Sequence, residues 1–372
     1  MCEAAALPPR VLMLLSNEYR PDVRVEKEAR SLVRNGMAVT VLAWDRGHKR
    51  QIEEVQDGVG VRRVRTRAFS AKSGLALNYP LFVMALLHGS QKERMDAVHA
   101  HDLDTLLAGV LISKLRRVPL IYDAHEHYAE MVSQDLPSGV ARVFDLMERC
   151  LVRGADRIVA ANQRIAEYLR EWSRVEPVVV MNCIEPPSAM VSRPHHEGMV
   201  VFYGGSLEPL RFIEEAILAV QGQKGIVLRV AGDGSLRGLV ESASRSGDNV
   251  EYIGYIDHAK LLEEMAQADA VIAMLDPSNL NNRIGTPNRL FEAMAVGTPV
   301  LVSKGTLSGE IVDRTGSGLN VDWSVAGFKE ALKTLSDPTL REDLGRNGRA
   351  AVDKEYNWKA MEARLLALYD SL

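Results

Sequence analysis

The sequence predicts a two-domain α/β protein built on two open parallel sheets, each covered by helices on both faces. Three observations predict it. A chain of 372 residues is longer than one ordinary core and suits two domains. Short β-branched runs alternate with helix patterns, which implies parallel strands joined by helical crossovers. The alternation pauses once, near Glu185-Pro-Pro187, and then restarts. The expected division is residues 1–186, 187–355 and a terminal helical segment 356–372.

In the first half, Val11–Leu15 reads as a buried strand. A helix follows with Val25, Ala29, Leu32 and Val33 on one face and Gly36 just past its end. Val39–Ala43 and Val61–Val64 are the next strands. Asp96–His99 leads into an apolar-faced helix around Leu103–Leu115. Pro119–Asp123, Arg157–Ala160 and Pro177–Val180 repeat the theme. The stretch Ser192–Gly198 is loop-like and is the linker candidate. Beyond it, Met199–Tyr203, Ile226–Ala231, Val250–Ile253, Ala270–Met274 and Pro299–Val302 are strands, and Trp358–Leu372 has an amphipathic helical pattern with Met361, Leu365, Leu366 and Leu368. Open parallel sheets bind ligands beyond the carboxyl ends of their strands, so two facing sheets predict a site in the cleft between them.

Composition excludes several classes. Hydrophobic residues at 47%, charged residues at 25% and a net charge of -4 describe a globular protein with no global signal for nucleic acid. Cys2, Cys150 and Cys183 form no metal-ligand spacing, which suits a reducing compartment. Met1–Pro9 lacks signal-peptide character, and the longest apolar stretch, Leu75–Leu87, contains Pro80 and is too short to span a bilayer. A cytoplasmic location is expected. A basic cluster at His48–Arg50, Arg62, Arg63, Arg65 and Arg67 reads as a solvated face or as a surface facing anionic lipid or a phosphorylated acceptor.

Thr286–Pro299 is the most informative segment. Thr286 fits an N-cap and Pro287 a first helical residue, while Gly297 and Pro299 bound the other end. The N–H groups of Asn288 and Arg289 then point out of the helix N-terminus, a ready site for a diphosphate. Glu292, one turn in, can accept hydrogen bonds from a ribose diol; the plain alternative is a capped helix with a solvated glutamate.

Glu292-Ala-Met-Ala-Val-Gly-Thr-Pro-Val300 resembles the donor-site signature of the retaining, nucleotide-sugar-dependent group 1 (family 4 type) glycosyltransferases, which have the GT-B architecture of two facing Rossmann-like domains. That family pairs two glutamates eight positions apart; here the first position is Ile284, and Pro287–Glu292 instead resembles a subgroup reading Pro-Asn-Lys-Leu-Phe-Glu. Tyr203-Gly-Gly-Ser-Leu207 with Arg211 resembles the family's diphosphate-gripping strand, loop and helix, which assigns Gly205, Ser206 and Arg211 to the donor; a basic residue usual at position 206 is replaced by serine. Asp269–Met274 and Asn357-Trp358 also fit, and the resemblance implies that the last helix crosses back to the N-terminal domain. Ile121–Glu126 resembles the strand end that carries the family's donor-contacting histidine, here His125. Arg24, His101, Asp102 and Glu126 are expected on the acceptor side. His99 and His101, at alternate positions, are read as pointing to opposite faces of a strand, so no metal site is expected there.

The resemblance implies transfer of a hexose-type sugar from a UDP- or GDP-sugar with retained anomeric configuration. Arg211 and the helix N-terminus would stabilise the leaving diphosphate, without a metal or other cofactor. The acceptor would be a glycan, a lipid-linked saccharide or a small molecule, with possible peripheral contact with anionic membrane. Three rivals stand beside this reading: an epimerase of the same architecture, a non-catalytic sugar-nucleotide binder, and a nicotinamide-dependent oxidoreductase. The last rests on Val230-Ala-Gly-Asp-Gly234 and Glu251, although Arg237 stands where a third glycine belongs.

Overall fold

The computed structural model describes residues 8–20, 22–66, 75–126, 138–187, 197–247 and 249–372. Cys2, Pro21, Arg67 and most of the expected linker 192–198 lie outside the described residues, as do the side chains of residues 75–77. The chain divides into two compact units, Met1–Met181 with Met361–Leu372, and Asn182–Ala360. The first division therefore falls ahead of the boundary expected at 186, and the chain leaves the second unit within the last helix.

The N-terminal unit is an eight-stranded sheet in the order β3-β4-β2-β1-β5-β6-β7-β8. Its strands are β1 (Arg10–Leu15), β2 (Ala38–Trp44), β3 (Glu53–Gln56), β4 (Val59–Val64), β5 (Ala97–His101), β6 (Leu120–Ala124), β7 (Arg157–Ala160) and β8 (Val178–Val179). All neighbours are parallel except β3 and β4, an antiparallel hairpin on the edge turned by Asp57-Gly58. Val11–Leu15 is fully buried, as a strand covered on both faces must be. The chain runs from β1 to β2 on one side and returns to β5 on the other. This reversal opens a crevice at the carboxyl ends of β1 and β5.

The helix Val23–Arg34 starts where the Asp22 carboxylate accepts from the Val25 N–H, and it buries Val25, Ala29 and Leu32. Gly36 takes φ 82°, while the Met37 N–H reaches back to the Leu32 carbonyl and closes the last turn. Pro80 lies inside the helix Leu75–Ser90 rather than breaking it; Phe82, Val83 and Leu86 are buried on one side, Leu81 and Met84 exposed on the other. Among the described residues, no helix is long and apolar enough to cross a membrane. The basic cluster is largely neutralised in place. Arg62 pairs with Glu53 and Glu93, buried Arg63 with Glu54, Arg65 with Asp45, and Arg50 with Glu18. Each of these four arginines has an acidic partner.

The second unit is a fully parallel six-stranded sheet in the order β11-β10-β9-β12-β13-β14. Its strands are β9 (Met199–Gly204), β10 (Ile226–Ala231), β11 (Val250–Tyr252), β12 (Ala270–Ile272), β13 (Val300–Ser303) and β14 (Gly318–Val321). Here the reversal lies between β9 and β12, so Gly204 ends, and Gly205 follows, the strand that borders the crevice. The core behind them includes Tyr203, Phe212, Val230, Ile272, Leu301 and Phe328.

Candidate functional site

In the second unit the site is built from backbone. Gly205 follows β9 at φ 142° and Gly232 follows β10 at φ 138°. A Cβ on Gly232 would lie 1.8 Å from the Gly205 carbonyl oxygen, and one on Gly234 would lie 2.5 Å from that of Leu207. The two loops are tied by hydrogen bonds from the Gly205 N–H to the Ala231 carbonyl (3.0 Å) and from the Leu207 N–H to the Asp233 carbonyl (2.9 Å). The glycines of Val230–Gly234 thus serve loop-on-loop contact. Glu251, the would-be ribose ligand of an oxidoreductase, lies opposite Arg229 on the neighbouring strand and pairs with it at 2.9 Å.

The helix Asn288–Val296 ends as expected, with Gly297 at φ 74° and the Thr298 N–H returning to the Ala293 carbonyl. Its start differs from the expectation. Pro287 is the N-cap at extended φ/ψ, no side chain caps the helix, and Thr286 lies one residue outside. Proline's fixed φ allows the extended cap as readily as a first helical turn. The uncapped start leaves the Asn288 and Arg289 N–H groups directed outward. Asn182 donates to the Asn288 side-chain oxygen at 2.8 Å.

Arg289 offers the site more than its N–H: its side chain lies there too. The guanidinium lies 4.3 Å over the Tyr203 ring, and its Nη1 is buried without a hydrogen-bond partner. A Cβ on Gly205 would stand 3.8 Å from that nitrogen. Glu292 is buried and accepts at Oε1 from His258 Nε2 at 2.9 Å. His258 was missed; the only sequence signal for it is its place after Asp257, which caps its helix. Arg211 is not in a helix but in the turn before Ile213–Val220, between Leu210 and Phe212, both at positive φ. There it lies near the Glu208 carboxyl, which the Ser235 hydroxyl and N–H hold below its ordinary pKa, with a smaller contribution from Arg211. Ser206 is exposed, and its carbonyl accepts from the Tyr203 hydroxyl at 2.6 Å. Ile284 closes the short helix Leu280–Ile284.

The N-terminal unit builds its site from side chains at the ends of β5 and β6. Asp102 leaves β5 at φ 59°, and its Oδ1 accepts from the His125 N–H at 3.0 Å. Asp123 Oδ2 lies 3.0 Å from His101 Nδ1 and 3.1 Å from His125 Nε2. Burial pushes the His125 imidazole toward the neutral form, but the Asp123 carboxylate overrides it and the net shift is upward. Burial likewise opposes ionisation of Asp123, yet His125 and His101 hold it well below the carboxylate range. Arg24 loses solvation, and Asp102, Asp22, Glu126 and Asp123 more than restore its charge. The structure thus groups Arg24, Asp102, His125 and Glu126.

Two expectations for this unit need correction. His101 is only 1% exposed, so it supports His125 and does not face an acceptor. His99 and His101 do not point to opposite faces: successive strand residues alternate, so residues two apart share a face. Their rings stack at 4.4 Å. His99 is further held by the Tyr369 hydroxyl, 2.8 Å from its Nδ1, and Glu28 lies nearby; neither residue was foreseen.

Residues 21–183 match the family described as glycosyl transferase 4-like domain, and residues 198–337 match glycosyl transferases group 1, together most of the chain. Glycogen synthase of Mycobacterium tuberculosis is 26% identical over 293 residues, 74% of this chain and 69% of that protein. D-inositol 3-phosphate glycosyltransferase of Paenarthrobacter aurescens is 28% identical over 313 residues, covering 76% and 73%. Among solved structures, sucrose-phosphate synthase of Thermosynechococcus elongatus aligns with a TM-score of 0.77 at 21% identity, covering 97% of this chain and 98% of that one. Anabaena HepE in complex with UDP aligns with a TM-score of 0.75 at 18% identity, covering 98% and 100%. The two parallel-sheet units are those of GT-B enzymes, and the chain belongs to the group 1 glycosyltransferases.

Proposed function

We propose that this glycosyltransferase moves a hexose-type sugar from a UDP- or GDP-sugar to a glycan, lipid-linked or small-molecule acceptor, with retention at the anomeric carbon. The observation that carries the donor reading is the buried, unpartnered Nη1 of Arg289 beside Gly205, at the helix start that no side chain caps. A buried guanidinium nitrogen without a partner calls for an anion. A diphosphate fits both this cation and the outward N–H groups. The complexes of HepE with UDP and with UDP-glucose support the same donor class.

In this reading Glu292, braced by His258, accepts hydrogen bonds from the ribose. Arg289, Arg211 and the Asn288 and Arg289 N–H groups stabilise the negative charge that develops on the departing diphosphate, in place of a metal. His125, whose protonated form Asp123 favours, contacts the sugar and its phosphate. Arg24, Asp102 and Glu126 contact the acceptor, and His101 is a positioning residue behind His125. Ile284 in place of the first glutamate moves contact with the transferred sugar onto other groups.

The test has two arms. Arg289→Ala should weaken nucleoside diphosphate binding, read by calorimetry, by roughly 10–100-fold, the size of a lost charged hydrogen bond; unchanged affinity would remove Arg289 from the donor site. With candidate donors, nucleoside diphosphate should be released in an acceptor-dependent way, and the product's anomeric configuration should match the donor's by NMR. Release that needs no acceptor would favour an epimerase or hydrolase instead.

A further inference from the structure

His101 and Asp123, which support His125, also belong to a larger buried constellation in the N-terminal unit. Glu28, on the helix Val23–Arg34, His99 and His101, on β5, and Asp123, on β6, are all buried, and one ligand atom from each lies within 4.8 Å of all the others. The fold makes this meeting. His99 and His101 share a face of β5, and Asp123 stands opposite His101 in the parallel register of β6.

We propose that Glu28, His99, His101 and Asp123 bind one divalent transition-metal ion of the zinc class. The proposal does not depend on the transfer chemistry argued above.

Four polar atoms of this group have no hydrogen-bond partner: Glu28 Oε2, His99 Nε2, His101 Nε2 and Asp123 Oδ1. The gap is clearest at His99. Its Nδ1 is engaged by the Tyr369 hydroxyl, which turns Nε2 toward Glu28 Oε2 at 3.9 Å and Asp123 Oδ2 at 3.7 Å. Both separations are too long for hydrogen bonds. An imidazole fixed through one nitrogen by an outer partner, with the other aimed at carboxylates, is how metal-ligating histidines are commonly held.

Two imidazoles with two carboxylates form a donor set suited to zinc, with ligand distances of about 2.0–2.2 Å. Bringing atoms now up to 4.8 Å apart onto one ion needs shifts of roughly 1 Å, within reach of side-chain rotation. Charge argues the same way. Asp123 is paired with His125, but Glu28, at 4% side-chain exposure, adds a second buried carboxylate whose charge a divalent ion would offset. The ion would fix Asp123, the residue that holds His101 and His125. The competing explanation is a proton shared between Glu28 and Asp123.

The test uses the full chain, stripped with a chelator and titrated with Zn²⁺ alone against a chromophoric competitor. One equivalent should bind, and Co²⁺ in its place should give the visible absorption of a nitrogen- and oxygen-ligated tetrahedral centre. His99→Ala should weaken Zn²⁺ binding by on the order of 100-fold or more, and Tyr369→Phe by roughly 10–100-fold, as for loss of an outer-shell partner. His258→Ala, at the other histidine–carboxylate pair, should leave it unchanged. The proposal fails if the folded wild-type chain takes up no ion at micromolar Zn²⁺, which is the shared-proton outcome. It also fails if binding survives His99→Ala or is lost with His258→Ala. Uptake by the wild type is read without any variant, so a substitution that prevents folding cannot hide the answer.

Discussion

The two units share a doubly wound plan, yet they build their crevices from different materials. In the second unit the crevice is shaped by main chain: Gly205, Gly232 and Gly234 pack loop on loop, and a helix start faces outward without a cap. In the first unit it is made of side chains that share protons and charge: half-buried Asp102 and buried Asp123, His99, His101 and His125. The first kind fails when space is taken away. The second fails when charge is changed. A diphosphate is satisfied by fixed N–H groups and guanidinium charges, whereas sugar hydroxyls need individually placed donors and acceptors, and the contrast follows the ligand each unit is proposed to hold.

The largest effect expected from this contrast is steric. Gly232→Ala puts a methyl group 1.8 Å from the Gly205 carbonyl at a positive φ, so the two loops must separate. Overpacking of this kind costs about 1–3 kcal/mol or more. Nucleotide affinity and melting temperature should both fall; a variant that binds nucleotide normally would show that the loops are not held together by need. Next, Arg211→Ala should lower kcat by roughly 10²–10³-fold, as for loss of one preorganised charge-stabilising donor, and near-normal transfer would take Arg211 out of the mechanism. His258→Ala should act more mildly. The pair it makes with Glu292 is exposed on the histidine side, and a few-fold rise in KM for the donor with kcat little changed is expected; a large kcat loss would make His258 more than a brace.

The smallest expected effect tests the charge-sensitive character of the first unit away from its crevice. Burial raises the Glu148 carboxyl to about 7, opposed by hydrogen bonds from the Tyr122 and Tyr168 hydroxyls. A raised folded-state pKa means that the folded chain binds this proton more tightly than the unfolded chain. The resulting stability is full below about 4.5 and is lost as pH rises through about 7. Glu148→Gln should therefore flatten the fall in melting temperature between pH 5 and 8. An identical pH profile in the variant would remove Glu148 from that balance.

What could be read in advance follows the range of the interaction. All strands of the two sheets but β3 and β14, the helix Val23–Arg34 with Gly36, and the stop at Gly297 are local in origin, set by residues within a turn or two, and each is found where its pattern placed it. The strands β3 and β14 escaped because both lie at a sheet edge with little burial to leave a hydrophobic trace. Thr286 misled because serine and threonine caps are only a preference, and Pro287 fixed the cap one residue later. The arginines Arg62, Arg63 and Arg65 looked like a basic face because their acidic partners, Glu53, Glu54, Glu93 and Asp45, are supplied by other strands and loops. His258 against Glu292 and Glu28 against His99 are likewise contacts between distant parts of the sequence, which no local pattern announces. The face shared by His99 and His101 was legible and was misread, since period-two geometry alone settles it.

The hydrogen bond between His99 and Tyr369 joins residues 270 positions apart. On the ribosome, at about 5–20 residues per second, the first half of the chain waits roughly 15–50 s for that hydroxyl to emerge. Until then β5 is present but His99 has no tyrosine to orient it. The unit made first is therefore the unit finished last, and a nascent chain halted before residue 369 should expose an incomplete centre to chaperones and proteases.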